Sequence, residues 1–322
     1  MTATGSTLLD PAGSFEGLKV IDTDTHLSEP HDLWSSRAPA GYKELLPHVK
    51  TVDGRQRWFV DKDVSLGGAG PASAVRKDAE KVRGAEFFGW TIDEVHEASY
   101  DGRARLAMMD RLGIHAQVIY PNLAGFGNQR FLKVDKPELR NLCVSIYNDA
   151  MAEMQRESGE RLFPMALFPW WDIPAAVKEI ERAHELGLRG VVACNDPDSI
   201  GLPDLAQKDW DPLWQVCGEL EMPINFHIAA SASDFNVFGR AAWPSMGREA
   251  RLALASAYLF LDNARVIGNL IYGGVPERFP DCRFVSVESG IGWIPFYLEA
   301  FPCRRAYSRE ERMIGSCPVL PL

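Results

Sequence analysis

Six short apolar runs, separated by segments of helical spacing, constrain this chain more than any other feature. The runs are LKVID (18–22), AQVIY (116–120), FPMALF (163–168), RGVVA (189–193), PINF (223–226) and RFVSV (283–287). Between them lie RARLAMMDRLG (103–113), ELRNLCVSIYNDAMAEMQRE (138–157) and AAVKEIERAHELG (175–187). Strands that alternate with helices predict a parallel sheet whose strands are buried on both faces. Gly113, Gly187 and Gly190 fall where a helix has to end before the next strand begins. The fold class read from this pattern is α/β.

Two stretches interrupt the alternation. Residues 28–100 mix Pro, Gly and charge without a sustained apolar period, and read as an insertion arm serving as a lid or a dimer contact. A second insertion is expected over about 229–272, after the run ending at His227. The domain assignment is a single unit over 1–322, with an atypical tail at 301–322 that shows neither a strand nor a helical face.

Composition removes several function classes. Thirty-four Lys and Arg against 44 Asp and Glu leave a net charge of −10. Nucleic-acid binding needs a basic footprint, and the same acidity opposes docking on anionic lipid. Neither nucleic acid nor membrane is an expected partner. The six cysteines contain no CxxC pair, the first residues lack a signal-peptide pattern, and no run of 18 apolar residues occurs. A reducing cytoplasm is the expected compartment. The chain also lacks GxGxxG, GxxxxGK[ST], HExxH and GxSxG, which removes the usual entry points for dinucleotide, nucleoside triphosphate and serine-hydrolase chemistry.

The strongest local signal is VIDTDTHLSEP (20–30). Strand alternation puts Leu18, Val20, Asp22, Asp24 and His26 on one face, which runs from apolar to polar toward the strand's C-terminal end. Parallel barrels place their chemistry at that end. Asp24 and His26 offer an oxygen and an imidazole nitrogen to one divalent ion; the bland alternative is a capped polar turn. His227 closes the apolar strand of NFHIAA (225–230), where a buried structural histidine is the competing reading. Two such strand ends together make an Asp/His/His metal set of Asp24, His26 and His227. Glu288, in RFVSVESGIGWIP (283–295), sits at a third strand end, either as a general acid or base or as the partner of an Arg. His31 and His48 lie in the arm, His184 on a solvated helix face and His115 at a strand's N-terminal end. Arg240 and Trp243 are weaker candidates for contact with an anionic planar ligand.

VIDTDTHLSEPHDLW, with its D-x-H strand end followed by EP and LW, resembles the amidohydrolase-2 branch of the amidohydrolase superfamily. That branch includes aminocarboxymuconate-semialdehyde decarboxylase and the resorcylate-type decarboxylases. DGRARLAMMDRLGIHAQVIYPNLAG (101–125), LFPMALFPWWD, LGLRGVVA and MPINFHIAA are similar to later family segments in order, over about residues 18–300. The resemblance implies a TIM-type (β/α)8 barrel holding one divalent metal ion, Zn2+ or Mn2+, with Asp24, His26 and His227 as ligands. It also implies a small-molecule carboxylate substrate and a homodimer.

Two departures matter. Where the decarboxylases carry a catalytic His followed by x-Gly, this chain reads Glu288-Ser289-Gly290. The family's last-strand metal-binding aspartate has no counterpart after residue 290, so a barrel lacking its last one or two strands is expected. The tail is read as out of frame from about Pro302, and Asp22 or a neighbouring subunit as the source of a fourth ligand.

Three functions are weighed. The first is a carboxy-lyase acting on a small planar aromatic or enol carboxylate, with Glu288 and His227 as the catalytic groups and Glu288 as proton donor. The second is metal-dependent hydrolysis of an amide or lactone-type bond. The third is an inactive truncated remnant or binding protein.

Overall fold

The structure is a computed structural model that describes residues 17–82, 86–231 and 243–300. The tail 301–322 and Arg240 lie outside the described residues.

Six parallel strands form the body: β1 (Val20–His26), β5 (Ile114–Tyr120), β6 (Leu162–Pro164), β7 (Val191–Val192), β8 (Ile224–His227) and β9 (Phe284–Val287). β1, β5 and β6 pair in parallel, as do β7, β8 and β9. A single parallel bridge, Ala166 with Val191, links the two sets, carried by Ala166 N to Gly190 O at 2.8 Å and Val192 N to Ala166 O at 3.0 Å. The spatial order is therefore β1-β5-β6-β7-β8-β9, with helices between most successive strands. The α/β expectation holds. Of the expected barrel lacking its last one or two strands, the described residues show six strands in an open sheet, because β1 and β9 each pair on one side only.

Local chemistry explains the helices. In α1 (Gly102–Leu112) the Asp101 carboxylate accepts Ala104 N at 2.8 Å, and the helix stops at Gly113 in left-handed conformation. In α3 (Ile173–Glu185) Asp172 caps Ala175 N at 3.1 Å and Pro174 occupies the first turn. The chain leaves α3 through Gly187 at φ 95°. Gly190 corrects its sequence reading. Its φ is not positive, and an added Cβ would meet Met165 Sδ at 2.8 Å and Pro223 O at 3.2 Å. It is a close-approach residue between strands, not a helix terminator. Helix α2 (Pro137–Glu157) and α4 (Asp211–Glu219) complete the set before the site helices.

The second insertion is also corrected. Residues 248–272 are one 25-residue helix, α5 (Arg248–Tyr272), which crosses from β8 back to β9 as a regular connection. Two further helices, α6 (Val275–Arg278) and α7 (Trp293–Ala300), flank β9. Trp243 is exposed, its ring 6.1 Å from that of Tyr258.

The arm is ordered rather than irregular. It contains an antiparallel sheet, β2 (His48–Val52), β3 (Arg55–Val60) and β4 (Val64–Gly68), in that order. Asp53 and Gly54 both have positive φ (52° and 72°), as a tight two-residue hairpin demands. The Asp-Gly pair between HVKTV and RQRWFV was the missed signal. Trp34, fully buried, packs edge-on to Trp58 and Phe131 and donates its indole N–H to Cys143 O at 2.9 Å. Leu33, Leu46, Val60 and Leu66 belong to the same buried cluster as Tyr147 and Phe168. That core packing ties the arm to the body. Among the described residues no helix is long and apolar enough to cross a membrane.

Candidate active site

Strand β1 alternates as its sequence suggests from Val20 onward: Ile21 and Thr23 are exposed, while Asp22, Asp24 and His26 point inward. Leu18 is corrected, because it precedes the strand and is exposed. At the C-terminal ends of the strands, Asp24 and His26 from β1 meet His227 from β8. One ligand atom from each lies within 4.8 Å of the other two. His227 Nε2 is 3.6 Å from Asp24 Oδ1 and 3.5 Å from Glu288 Oε2. The structure thus brings all four candidates together, and Glu288 faces His227 rather than an Arg.

The donor atoms of the site suit a cation. Asp24 Oδ1 and His227 Nε2 are buried and have no hydrogen-bond partner. Leaving such atoms unpaired is costly, and a cation bound between them would satisfy both. Ligands on a common tetrahedral ion at roughly 2.0–2.2 Å sit about 3.3–3.6 Å apart, which suits the Asp24–His227 separation. Both imidazoles are turned the same way. His227 Nδ1 faces Ile228 O at 2.8 Å and His26 Nδ1 faces Pro121 O at 3.4 Å, so each ring offers its other nitrogen inward. The donor set of one carboxylate and two imidazoles fits a mid-row divalent metal.

Asp22 does not join this group. Its Oδ2 accepts Gln117 Nε2 at 3.1 Å and its Oδ1 faces Asp24 N at 3.4 Å. Gln117 Oε1 in turn meets Arg105 Nη1 at 3.3 Å, and Arg105 Nη2 donates to His26 O at 2.8 Å. Asp22 is thus committed to holding β1 against α1 and β5, and is unavailable as a fourth ligand.

Electrostatics follow from burial. Burial first, then the His227 ring, push the His26 pKa down to about 4, with Asp24 opposing. Burial raises the Glu288 carboxyl above its ordinary range; the Asp24 charge adds to this and His227 opposes it. Glu288 also has φ 56°, a left-handed backbone that a non-glycine residue adopts at some strain. Such strain persists where the surrounding structure enforces it, commonly at functional sites.

Several contributors escaped the sequence reading. Phe126 stands between Gly125 and Gly127, with its ring 4.6 Å from His26 and 4.4 Å from His227. Tyr120 lies edge-on to His227 at 5.2 Å and donates its hydroxyl to Asn225 Oδ1 at 3.1 Å. Glu29, buried, accepts Asn122 N and Leu123 N at 2.8 Å each, which anchors the loop that carries Phe126. The aromatic residue between two glycines was the available signal for Phe126; Glu29 stood in the EP pair of the family resemblance, without a role read for it. A cleft of about 500 Å³, lined by Arg37, Tyr100, Arg103 and Glu153 among others, contains none of the four candidates. His31 packs against Trp58, His48 Nδ1 faces Leu46 O, and His115 and His184 are exposed.

The amidohydrolase family model matches residues 21–318. Among solved structures, an amidohydrolase from Mycobacterium avium subsp. paratuberculosis K-10 is similar at 19% identity and a TM-score of 0.63. That match covers 91% of this chain and 80% of the other. 2,6-Dihydroxybenzoate decarboxylase from Rhizobium is similar at 17% identity and a TM-score of 0.50, covering 91% and 73%. A 5-carboxyvanillate decarboxylase from Novosphingobium aromaticivorans DSM 12444, with bound manganese, is similar at 19% identity and a TM-score of 0.50, covering 67% and 59%. At these identities the likeness is one of fold.

Proposed function

This chain belongs to the amidohydrolase family, and from that premise we propose that it is a metal-dependent carboxy-lyase. Its substrate is a small planar aromatic or enol carboxylate bearing a neighbouring oxygen. The observation that carries this reading is the meeting of Asp24, His26 and His227, two of them with orphaned buried ligand atoms, beside a carboxyl whose pKa is raised. Two proteins of similar fold are named as decarboxylases of aromatic acids, and one of them carries manganese.

Asp24, His26 and His227 would hold the ion, Zn2+ or Mn2+. When bound, the cation supplies Lewis-acid charge neutralisation and a template for the substrate's carboxylate and adjacent oxygen. His26, neutral down to about pH 4, keeps its ligand nitrogen unprotonated across the physiological range. Phe126 lies against both imidazoles, where a flat ring has an apolar surface to stack on. Glu288, in its acid form, would deliver its proton to the carbon bearing the carboxylate. The bond from that carbon to the carboxylate then breaks, its electron pair returns to the ring or enol system, and CO2 leaves. The half-exposed Glu288 carboxylate recovers a proton from water.

The same ligands would serve hydrolysis of an amide or lactone, but that reaction needs a base beside the attacking water. A carboxyl whose pKa is raised by burial, and by Asp24 against the opposing His227, is better suited to giving a proton than an ordinary carboxylate is. The test is metal per chain by elemental analysis, followed by CO2 release from a panel of hydroxylated aromatic and enol carboxylates. About one ion per chain and turnover of a carboxylate are expected. A metal-loaded protein that cleaves amides or lactones and releases no CO2 would overturn the lyase reading. Soluble protein without metal affinity would overturn the enzyme reading altogether.

A further inference from the structure

Helix α5 supplies no ligand and no proton donor, yet one of its side chains reaches under the site. Asn263 is fully buried. Its Nδ2 donates to Phe226 O at 2.7 Å and lies 3.3 Å from Val287 O. Those two carbonyls belong to the residues immediately before His227 and Glu288. The same amide is 3.1 Å from Ser286 Oγ, which is 2.7 Å from Ser289 Oγ, the residue after Glu288. Asn263 Oδ1 accepts Asn195 Nδ2 at 2.9 Å, and that Asn195 amide also donates to His227 O at 2.8 Å. One pair of amides therefore grips the backbone on both sides of the His227 Cα and brackets Glu288.

The sheet alone does not fix this geometry. The β8–β9 ladder runs from Ile224 with Phe284 to His227 with Val287 and ends there. Glu288 lies one residue past the ladder, with φ 56°. Besides Asn263, the turn is held by Ile228 N on Val287 O at 3.3 Å and by the Trp293 indole on Ser289 O at 3.1 Å, and neither bond reaches the backbone of His227. Asn263, through Asn195, does so from a helix that packs across the ends of both strands. Asparagine suits the place because it offers two N–H donors to carbonyl and hydroxyl oxygens and one acceptor to Asn195. Aspartate has the same shape but no donor, and would set a carboxylate oxygen against two carbonyls.

We propose that Asn263, acting through Asn195 and the carbonyls of Phe226 and Val287, is the positioning residue that fixes the backbone of His227 and of Glu288 beside it. By fixing His227 it tunes ion affinity while touching neither ion nor substrate. The inference rests on reading Asp24, His26 and His227 as a metal centre.

The test measures Zn2+ affinity by chelator competition and the visible spectrum of the Co2+-loaded protein, for the wild type and three variants. Asn263→Asp removes the donors. Asn195→Ala removes the hold on His227 O and the donor to Asn263 Oδ1, leaves Asn263 its own bonds to the Phe226 and Val287 carbonyls, and stands in if Asn263→Asp does not fold. Asn148→Asp is the control: Asn148 is equally buried and donates to Leu167 O at 2.8 Å, but it ties α2 to the chain just past β6 and to Glu179 of α3 rather than to the site. Loss of an outer-shell partner typically weakens metal binding by about 10–100-fold. A loss of that order is expected for Asn263→Asp, with an altered Co2+ spectrum, and a smaller loss for Asn195→Ala. Asn148→Asp is expected to lower the melting temperature and leave affinity unchanged. If the wild type binds and Asn263→Asp and Asn195→Ala bind equally well, the clamp is wrong and the metal centre stands. If Asn148→Asp weakens binding as much, the effect is loss of stability and the clamp is again wrong. If the wild type binds neither ion, both readings fall.

Discussion

Asp24 Oδ1 and His227 Nε2 face each other across 3.6 Å although β1 and β8 are separated by three intervening strands in the sheet order. Only a strongly curled sheet allows this. The right-handed twist between neighbouring parallel strands accumulates until the inner faces of the first and fifth strands meet. The six described strands thus have the curvature of a barrel wall, and the site sits where their C-terminal ends converge.

That convergence makes ion binding cooperative among residues far apart in sequence. Asp24→Ala and His227→Ala are each expected to take metal content from near one equivalent to near zero. Elemental analysis after dialysis reads this directly. Added Zn2+ should raise the melting temperature of the wild type and of neither variant, since a ligand that binds only the folded state stabilises it. Retention of a full equivalent by either variant would place the ion elsewhere.

Glu288→Gln removes the proton but keeps the shape. Positioned general acids contribute about 10²–10⁴-fold, so kcat for decarboxylation should fall by that order. Metal content should not change. A parallel loss of metal would make Glu288 a ligand instead of an acid.

Acid should destabilise the metal-free protein through His26. Its folded pKa of about 4 lies below the ordinary 6.5, so between those values the unfolded chain binds the extra proton. Stability therefore rises with pH across this window, and its contribution is lost as pH falls from about 6.5 toward 4. The full effect is of the order of 3 kcal/mol. Urea melts of the chelator-treated protein at pH 4.5 and 7 measure it, and His26→Gln should flatten the difference. An unchanged slope in that variant would assign the acid sensitivity to other groups.

Trp34 tests whether the arm belongs to the core. Trp34→Ala is expected to destabilise by about 3–5 kcal/mol, the usual range for a buried Trp. Arm and body should still unfold in one transition. Two separate transitions in the wild type would show that the arm is an independent unit.

Much of the site was legible in the chain because strand periodicity is local. In VIDTDTH the alternation alone sends Asp22, Asp24 and His26 to one face, and NFHIAA puts His227 at a strand end. The Asp-Gly pair at 53–54 also encodes its hairpin locally, although the surrounding charges concealed it. The helix-end glycines Gly113 and Gly187 act through their own backbone. What only the tertiary structure decided are relations between distant segments. Asp22 and Asp24 are two residues apart on one face; packing against Gln117 diverts the first and leaves the second with an unpaired oxygen. Asn195 and Asn263 carry no local pattern that marks them, because their roles lie in which backbone groups they meet. Sequence sets the direction in which a side chain leaves its strand. The curl of the sheet and the helix laid across it set what that side chain encounters, and those long-range contacts have no period to read.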